Sequence, residues 1–328
     1  MLNLTFASWD HDRAMPLHTG EVVVPGVELE SHILPTSKLF PIAVQEARFD
    51  LTELSVSSYV LQLSRGESAY TAVPVFFSRA FRHNGFFTRP DTGIRDLRDL
   101  AGRVVGVPEY QMTAALWMRG ILADEYGVTP EQIRWRTGAL DQGVRRERLA
   151  LNLPDEIEVV PIDEETNLQQ LLLGGAIDAI MSPKPPALFD EGDPRIVRVV
   201  DDFETVEQEY YARTGFFPIM HVLAVRKTIA EGNPWLPQAL YDAAVTARDI
   251  AMKRIRDVSL GGANRLTLPW LRANLEATIN AMGEDYWSYG FSRNRIELET
   301  ICRYSQEQHL SARRLRADEL FHPSVLET

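Results

Sequence analysis

The sequence predicts an α/β chain folded into two lobes with a ligand cleft between them. Segments with strand alternation are interleaved with segments of helical spacing along most of the 328 residues, the pattern of a mostly parallel sheet covered by helices. A self-contained βαβ series, roughly residues 91–190, sits in the middle of a chain whose two flanks must build one core together. The length itself is generous for one domain and comfortable for two.

The elements follow in order. Leu2–Ala7 alternates as a strand. Val22–Leu34 reads as extended, broken by a Pro25-Gly26 turn, and Ser37–Glu46 as a helix with Thr36 as its N-cap. Leu51–Val56 is the next strand and Tyr59–Arg65 the next helix. A long apolar run from Ala72 to Phe77 continues to Phe86-Phe87. Polar residues 91–100 lead to strand Arg103–Val107 and to a strong helix, Thr113–Tyr126, which Gly127 ends. Ile157–Ile162 and Ala176–Met181 read as strands flanking the helix Asn167–Leu173. The chain then returns to strand Ile219–Val225 and closes with helices over Pro237–Val258, Leu268–Met282 and Arg293–Arg316. This division gives one lobe of residues 1–88 plus 195–328 and an inserted lobe of 90–194. It is the layout of type II periplasmic-binding-protein-like folds, in which the ligand lies between the lobes near the carboxyl ends of strands.

Composition narrows the function. A net charge of −12 argues against nucleic acid or an anionic membrane as partner, since both need a basic face. Arginine far outnumbers lysine, so a carboxylate clamp would be built from guanidinium forks. Cys302 is the single cysteine and reads as structural. The first strand begins at once, without a basic segment, an apolar stretch or a cleavage site, and no segment is long and apolar enough to span a bilayer. The expectation is a cytoplasmic protein, with homo-oligomerisation left open.

Four polar loops follow strand ends and should converge on the cleft: Trp9-Asp10-His11-Asp12-Arg13, Glu53 to Ser58, Pro108 to Thr113, and Ser182-Pro183-Lys184. Extended geometry would put Asp10 and Asp12 on one side and His11 on the other, poor for three ligands to one ion, so no metal is expected. Gln111 and Thr113 open a helix whose free amides favour an anion, with a plain Thr113 cap as the bland reading. Arg79 and Arg82 are candidate carboxylate clamps, against a structural ion pair. Thr214 to His221 supplies aromatics, including Phe217, for a wall against a planar ring. His221 itself begins an apolar strand, where a core histidine is the ordinary reading and a proton carrier the functional one. Arg145-Arg146-Glu147-Arg148 reads as a solvated face, and Gly261-Gly262 as a loop.

Taken together, Trp9 to Arg13, Glu53-Leu54-Ser55, Arg79 to Gly85, Gly102 to Trp117 and Thr214 to His221 resemble the 4,5-dihydroxyphthalate decarboxylase family. The resemblance implies a type II fold, a cytoplasmic carboxy-lyase without a cofactor, and a small aromatic dicarboxylate as substrate. From chemistry, His11 and His221 are expected as the acid/base groups, with Asp10 or Asp12 as orienter or base. Substrate contacts are expected from Arg13, Glu53, Ser55, Arg79, Arg82, Gln111, Thr113, Thr214 and Phe217. The competing expectation is a non-catalytic carboxylate-binding receptor. Other enzymes on the same fold, of pyrimidine or menaquinone pathways, share its architecture as well.

Overall fold

The computed structural model of the protein describes residues 1–261 and 266–328. The expected loop at Gly261-Gly262 therefore lies partly outside the described residues. The strands, in chain order, are β1 (Leu2–Ser8), β2 (Val27–Ile33), β3 (Leu51–Ser55), β4 (Tyr70–Arg79), β5 (Phe86–Thr88), β6 (Val104–Val107), β7 (Arg134–Thr137), β8 (Val159–Pro161), β9 (Ala179–Met181), β10 (Val197–Arg198) and β11 (Ile219–Arg226). They form two sheets, with orders β2-β1-β3-β11-β4 and β10-β5-β9-β6-β7-β8. In the first sheet β1 runs parallel to β2 and β3, while β11 returns antiparallel between β3 and β4. In the second, β6, β7, β8 and β9 are parallel, and β5 and β10 close one edge antiparallel.

The chain passes between sheets twice, from β4 to β5 and from β10 to β11. Strands β5 and β10 hydrogen-bond into the second sheet, so the chain changes sheet between Arg79 and Phe86 and again between Arg198 and Ile219. Gly85 sits at the first passage because no side chain fits there: a Cβ would lie 2.6 Å from the Ser182 carbonyl oxygen, far inside contact distance.

One helix ties the two sheets together. Thr113–Tyr126 is buried on nearly all sides over its first ten residues, so it lacks the polar stripe of a surface helix. Trp117 is fully buried and donates its indole N–H to the Ile219 carbonyl at 2.9 Å. Arg119 reaches the closing helix Phe291–Glu307 region through Gln308 at 2.8 Å. Each large apolar side chain sealed here is worth about 1.5–3 kcal/mol, which fixes one rim of the cleft.

Several elements depart from the pattern reading. The helix Phe203–Thr214 escaped it because its sequence is polar and only Glu207 and Tyr210 are buried. Strand β7 is short, with exposed Arg134, and was missed for the same reason. The last helix ends at Glu307, not 316. The chain turns out at His309 with φ of 56°, a left-handed conformation that a helix interior cannot hold. Thr36 is the first helical residue and does not cap. Among the described residues no helix is long and apolar enough to cross a membrane.

Candidate active site

Register brings the first pair of site residues together. On β11 and β3, His221 lies opposite Ser55 and Leu223 opposite Glu53. His221 and Glu53 are therefore diagonal neighbours on one face. Pairing with β4 is irregular on both sides of His221, and such bulges re-aim a side chain. The third residue, His11, comes from the loop after β1, beside the carboxyl end of β3.

Glu53 is the hub. It is wholly buried. Its Oε1 accepts from His11 Nε2 at 2.9 Å and from His221 Nδ1 at 2.6 Å, while Oε2 accepts the Trp9 amide at 2.8 Å. Burial pushes its pKa up, but the hydrogen bonds from His11 and His221, with their charges, outweigh it and hold the carboxyl well below the usual range.

The two histidines are not equivalent. Arg13 Nη2 lies 3.0 Å from His11 Nδ1. A guanidinium can only donate, so Nδ1 of His11 accepts and its proton sits on Nε2, facing Glu53. Both ring nitrogens of His11 are thus engaged. His221 donates from Nδ1 to Glu53, and its Nε2 has no hydrogen-bond partner among the described residues. The ring is half-buried, edge-on to Phe40 at 4.7 Å. Burial lowers the His221 pKa against the opposing pull of Glu53, which keeps Nε2 an unprotonated base near neutral pH. Arg13 is itself fixed, with Nε on the Phe77 carbonyl at 2.7 Å and its cation 3.9 Å over Trp287.

The donor atoms of His11, Glu53 and His221 lie within 4.8 Å of one another, close enough to ask about an ion. The donor chemistry answers against it. Arg13 donates to His11 Nδ1, so His11 could free its Nε2 lone pair only by giving up its one proton, whereas His221 could free Nδ1 by moving its proton to the unengaged Nε2. The arrangement is a carboxylate holding two N–H groups.

The remaining expected residues divide clearly. Arg82 is half-buried and has no carboxylate partner among the described residues; its Nε meets Met220 Sδ at 3.3 Å. Burial lowers its pKa to about 10, with Glu207 pulling the other way. It remains a candidate clamp. Arg79 does not. It is buried and pairs with Glu297 at 3.1 Å, with further bonds to the Phe217 and Ser288 carbonyls and to Asn294, so both of its terminal nitrogens are spent in holding the fold. Asp10 and Asp12 are exposed; Asp12 pairs with Arg13 at 2.8 Å, and Glu53 takes the partnering role expected of the two aspartates. Ser55 and Thr113 bond each other at 2.8 Å, and Thr113 Oγ1 accepts the Ser57 amide at 3.0 Å. Thr113 thus caps the neighbouring helix Val56–Ser64 rather than its own. Gln111 accepts from Ser58 at 2.9 Å and donates to Glu109 at 3.1 Å.

A carboxylate of the chain lies just ahead of this helix start, on amides that precede the N-cap Met112 and not on the helix's own first amides. The Tyr110 and Gln111 amides donate to Glu147, whose pKa burial raises to about 7 against the pull of the Tyr110 amide, with Glu109 adding to the rise. Thr214 and Phe217 line a separate cavity of about 230 Å³ with Arg79, Tyr211 and Glu297, away from the histidine pair. Pattern reading missed Phe40, Glu109, Arg145 and Arg148. The buried Glu109 is paired with Arg145 and Arg148, and only Arg146 of that run is the solvated residue expected, pairing with Glu164 at the surface.

Comparison with known proteins agrees with this architecture. No family model matches the chain. A 4,5-dihydroxyphthalate decarboxylase of Comamonas testosteroni is 40% identical over 327 residues, covering 100% of this chain and 98% of the relative. Another from Pseudomonas putida is 36% identical over 215 residues, covering 66% and 83% respectively. Among solved structures, the periplasmic aliphatic sulphonate binding protein SsuA of Escherichia coli aligns with a TM-score of 0.55 at 12% identity, covering 100% of both chains. A sulfonate-binding SsuA from Methylobacillus flagellatus gives 0.57 at 11%, covering 99% and 92%. These identities speak to the fold, which is the two-lobed periplasmic-binding-protein type. The full-length identity to a curated relative settles kinship: the chain belongs to the 4,5-dihydroxyphthalate decarboxylase family.

Proposed function

We propose that the chain removes one carboxylate from 4,5-dihydroxyphthalate, leaving protocatechuate and carbon dioxide, with His221 as the proton carrier. The observation that carries the chemical part is the His11–Glu53–His221 array, in which one imidazole nitrogen, Nε2 of His221, is unengaged.

The reaction consumes one proton per turnover, because a carboxylate leaves as neutral carbon dioxide and a hydrogen takes its place. Each carboxylated ring carbon is para to a phenol, whose electrons can flow to that carbon. Loss of the phenol's proton to solvent together with protonation of that carbon gives a dienone, and loss of carbon dioxide returns an aromatic phenolate that takes a proton back. His221 begins neutral. An arriving dianion favours protonation of Nε2, and Glu53 holds the resulting imidazolium through Nδ1–H. That proton is passed to the ring carbon. His11 and Arg13 do not transfer it; they lock the Glu53 carboxylate in place. Arg82 holds the carboxylate that stays.

The test is to incubate purified protein with 4,5-dihydroxyphthalate and follow protocatechuate and carbon dioxide. Equimolar formation of both is expected. Saturable binding of the diacid with no product would favour the receptor reading instead.

A further inference from the structure

We propose that Arg148 is a carboxylate-binding residue of this site, delivered by the connection between β7 and β8. The inference builds on the decarboxylase reading and names a part of the site that reading does not include.

The connection from Thr137 to Val159 contains neither helix nor strand. Unstructured connections longer than about 12–15 residues are uncommon in compact domains and are usually functional. This one leaves the second sheet and straps onto elements of the first. Gln45 donates to the Arg148 carbonyl at 3.3 Å, and Arg65 to the Ala150 carbonyl at 2.9 Å.

The strap carries a guanidinium with free donors. The Arg148 side chain is only 8% exposed, and Glu109, its partner, 1%. Arg148 uses Nε alone, on Glu109 at 2.7 Å. Arg145 takes the other Glu109 oxygen through Nε at 2.5 Å. Two guanidiniums share one sealed carboxylate, and the neighbouring Glu147 is taken up by the Tyr110 and Gln111 amides. Nη1 of Arg148 is buried without an acceptor, and its Nη1–Nη2 edge makes no hydrogen bond among the described residues. A buried N–H without a partner calls for an explanation, and this edge is the fork that grips a carboxylate bidentately.

Its position fits. The Arg148 cation lies 5.5 Å from the Phe40 ring centre, and Phe40 meets His221 edge-on. The free fork is therefore one aromatic ring from the imidazole that carries the proton. The same strap places Glu147 on the Tyr110 and Gln111 amides, which anchors it just ahead of the helix that starts at Thr113.

Two measurements test this. The first compares inhibition by phthalate, which keeps both carboxylates and lacks the phenols, with inhibition by benzoate, in wild type and Arg148→Met. Phthalate should weaken by about 10- to 100-fold in the variant, the size of one charge-assisted hydrogen bond, and benzoate by less. The second needs no variant: phthalate should slow hydrogen exchange of the amides of residues 143–153 in wild type. An unchanged phthalate-to-benzoate ratio, or strap amides indifferent to phthalate, overturns the Arg148 assignment while turnover of 4,5-dihydroxyphthalate stands. Absence of wild-type turnover overturns instead the reading on which it rests.

Discussion

At the scale of single residues, the two histidines differ in what they have left to give. His11 spends one nitrogen on Glu53 and the other on Arg13, while His221 keeps Nε2. His221→Asn should therefore lower kcat by about 10²–10⁴-fold, the usual contribution of a positioned acid or base. His11→Asn keeps a donor toward Glu53 and should cost roughly tenfold, a loosening of geometry. Steady-state kinetics of both variants, with substrate binding measured alongside, checks the order, and equal losses would contradict it. The sequence named both histidines and Glu53 but could not rank them. Ranking depends on which nitrogen each ring spends, and that is decided by Arg13 and by a diagonal strand register, neither visible along the chain. Sequence reading expected Asp10 or Asp12 as the orienter, whereas the carboxylate that reaches both rings is Glu53, from another strand.

At the scale of elements, the end of β4 is held by the ion pair that sequence reading took for a substrate clamp. Arg79 joins β4 to helix Phe291–Glu307 through Glu297, and Glu297 also accepts the Ile219 amide at 2.7 Å at the start of β11. Burial raises the Glu297 pKa to about 7 even with Arg79 beside it. Arg79→Met would leave that carboxyl without its cation. Breaking a buried pair typically costs about 3–5 kcal/mol, and the full loss should be seen at pH 8. At pH 6 it should be smaller, because a raised pKa lets Glu297 take up a proton and shed its charge. Denaturant unfolding at the two pH values reads the difference, and a pH-independent loss would contradict it. An arginine beside a phenylalanine-rich strand looks the same in sequence whether it faces a cleft or a helix some 200 residues on; only the packing of the last helix separates them.

At the scale of the whole molecule, the alternation of strands and helices made the two-lobed fold legible, because periodicity is a local signal that survives without tertiary knowledge. What local signal could not supply is what crosses the cleft. The Arg145 to Arg148 run carries the composition of a surface, yet Arg148 is buried because the strap bends it onto Glu109. The helix begins at Thr113, and the chain's own Glu147 takes the Tyr110 and Gln111 amides just before it. Both facts arise from segments distant in sequence meeting at the site.

The dependence of kcat/KM on pH tests most directly whether a half-buried, neutral His221 takes up a proton and passes it to the ring carbon. Burial lowers the His221 pKa from its ordinary value of 6.5, and the form that donates is the protonated one. In wild type kcat/KM should therefore fall with rising pH, about tenfold per unit, above a pKa that lies below 6.5. That limb should be missing from the residual activity of His221→Asn. A wild-type profile flat from pH 5 to 8, or a limb that persists unchanged in the variant, would contradict the account.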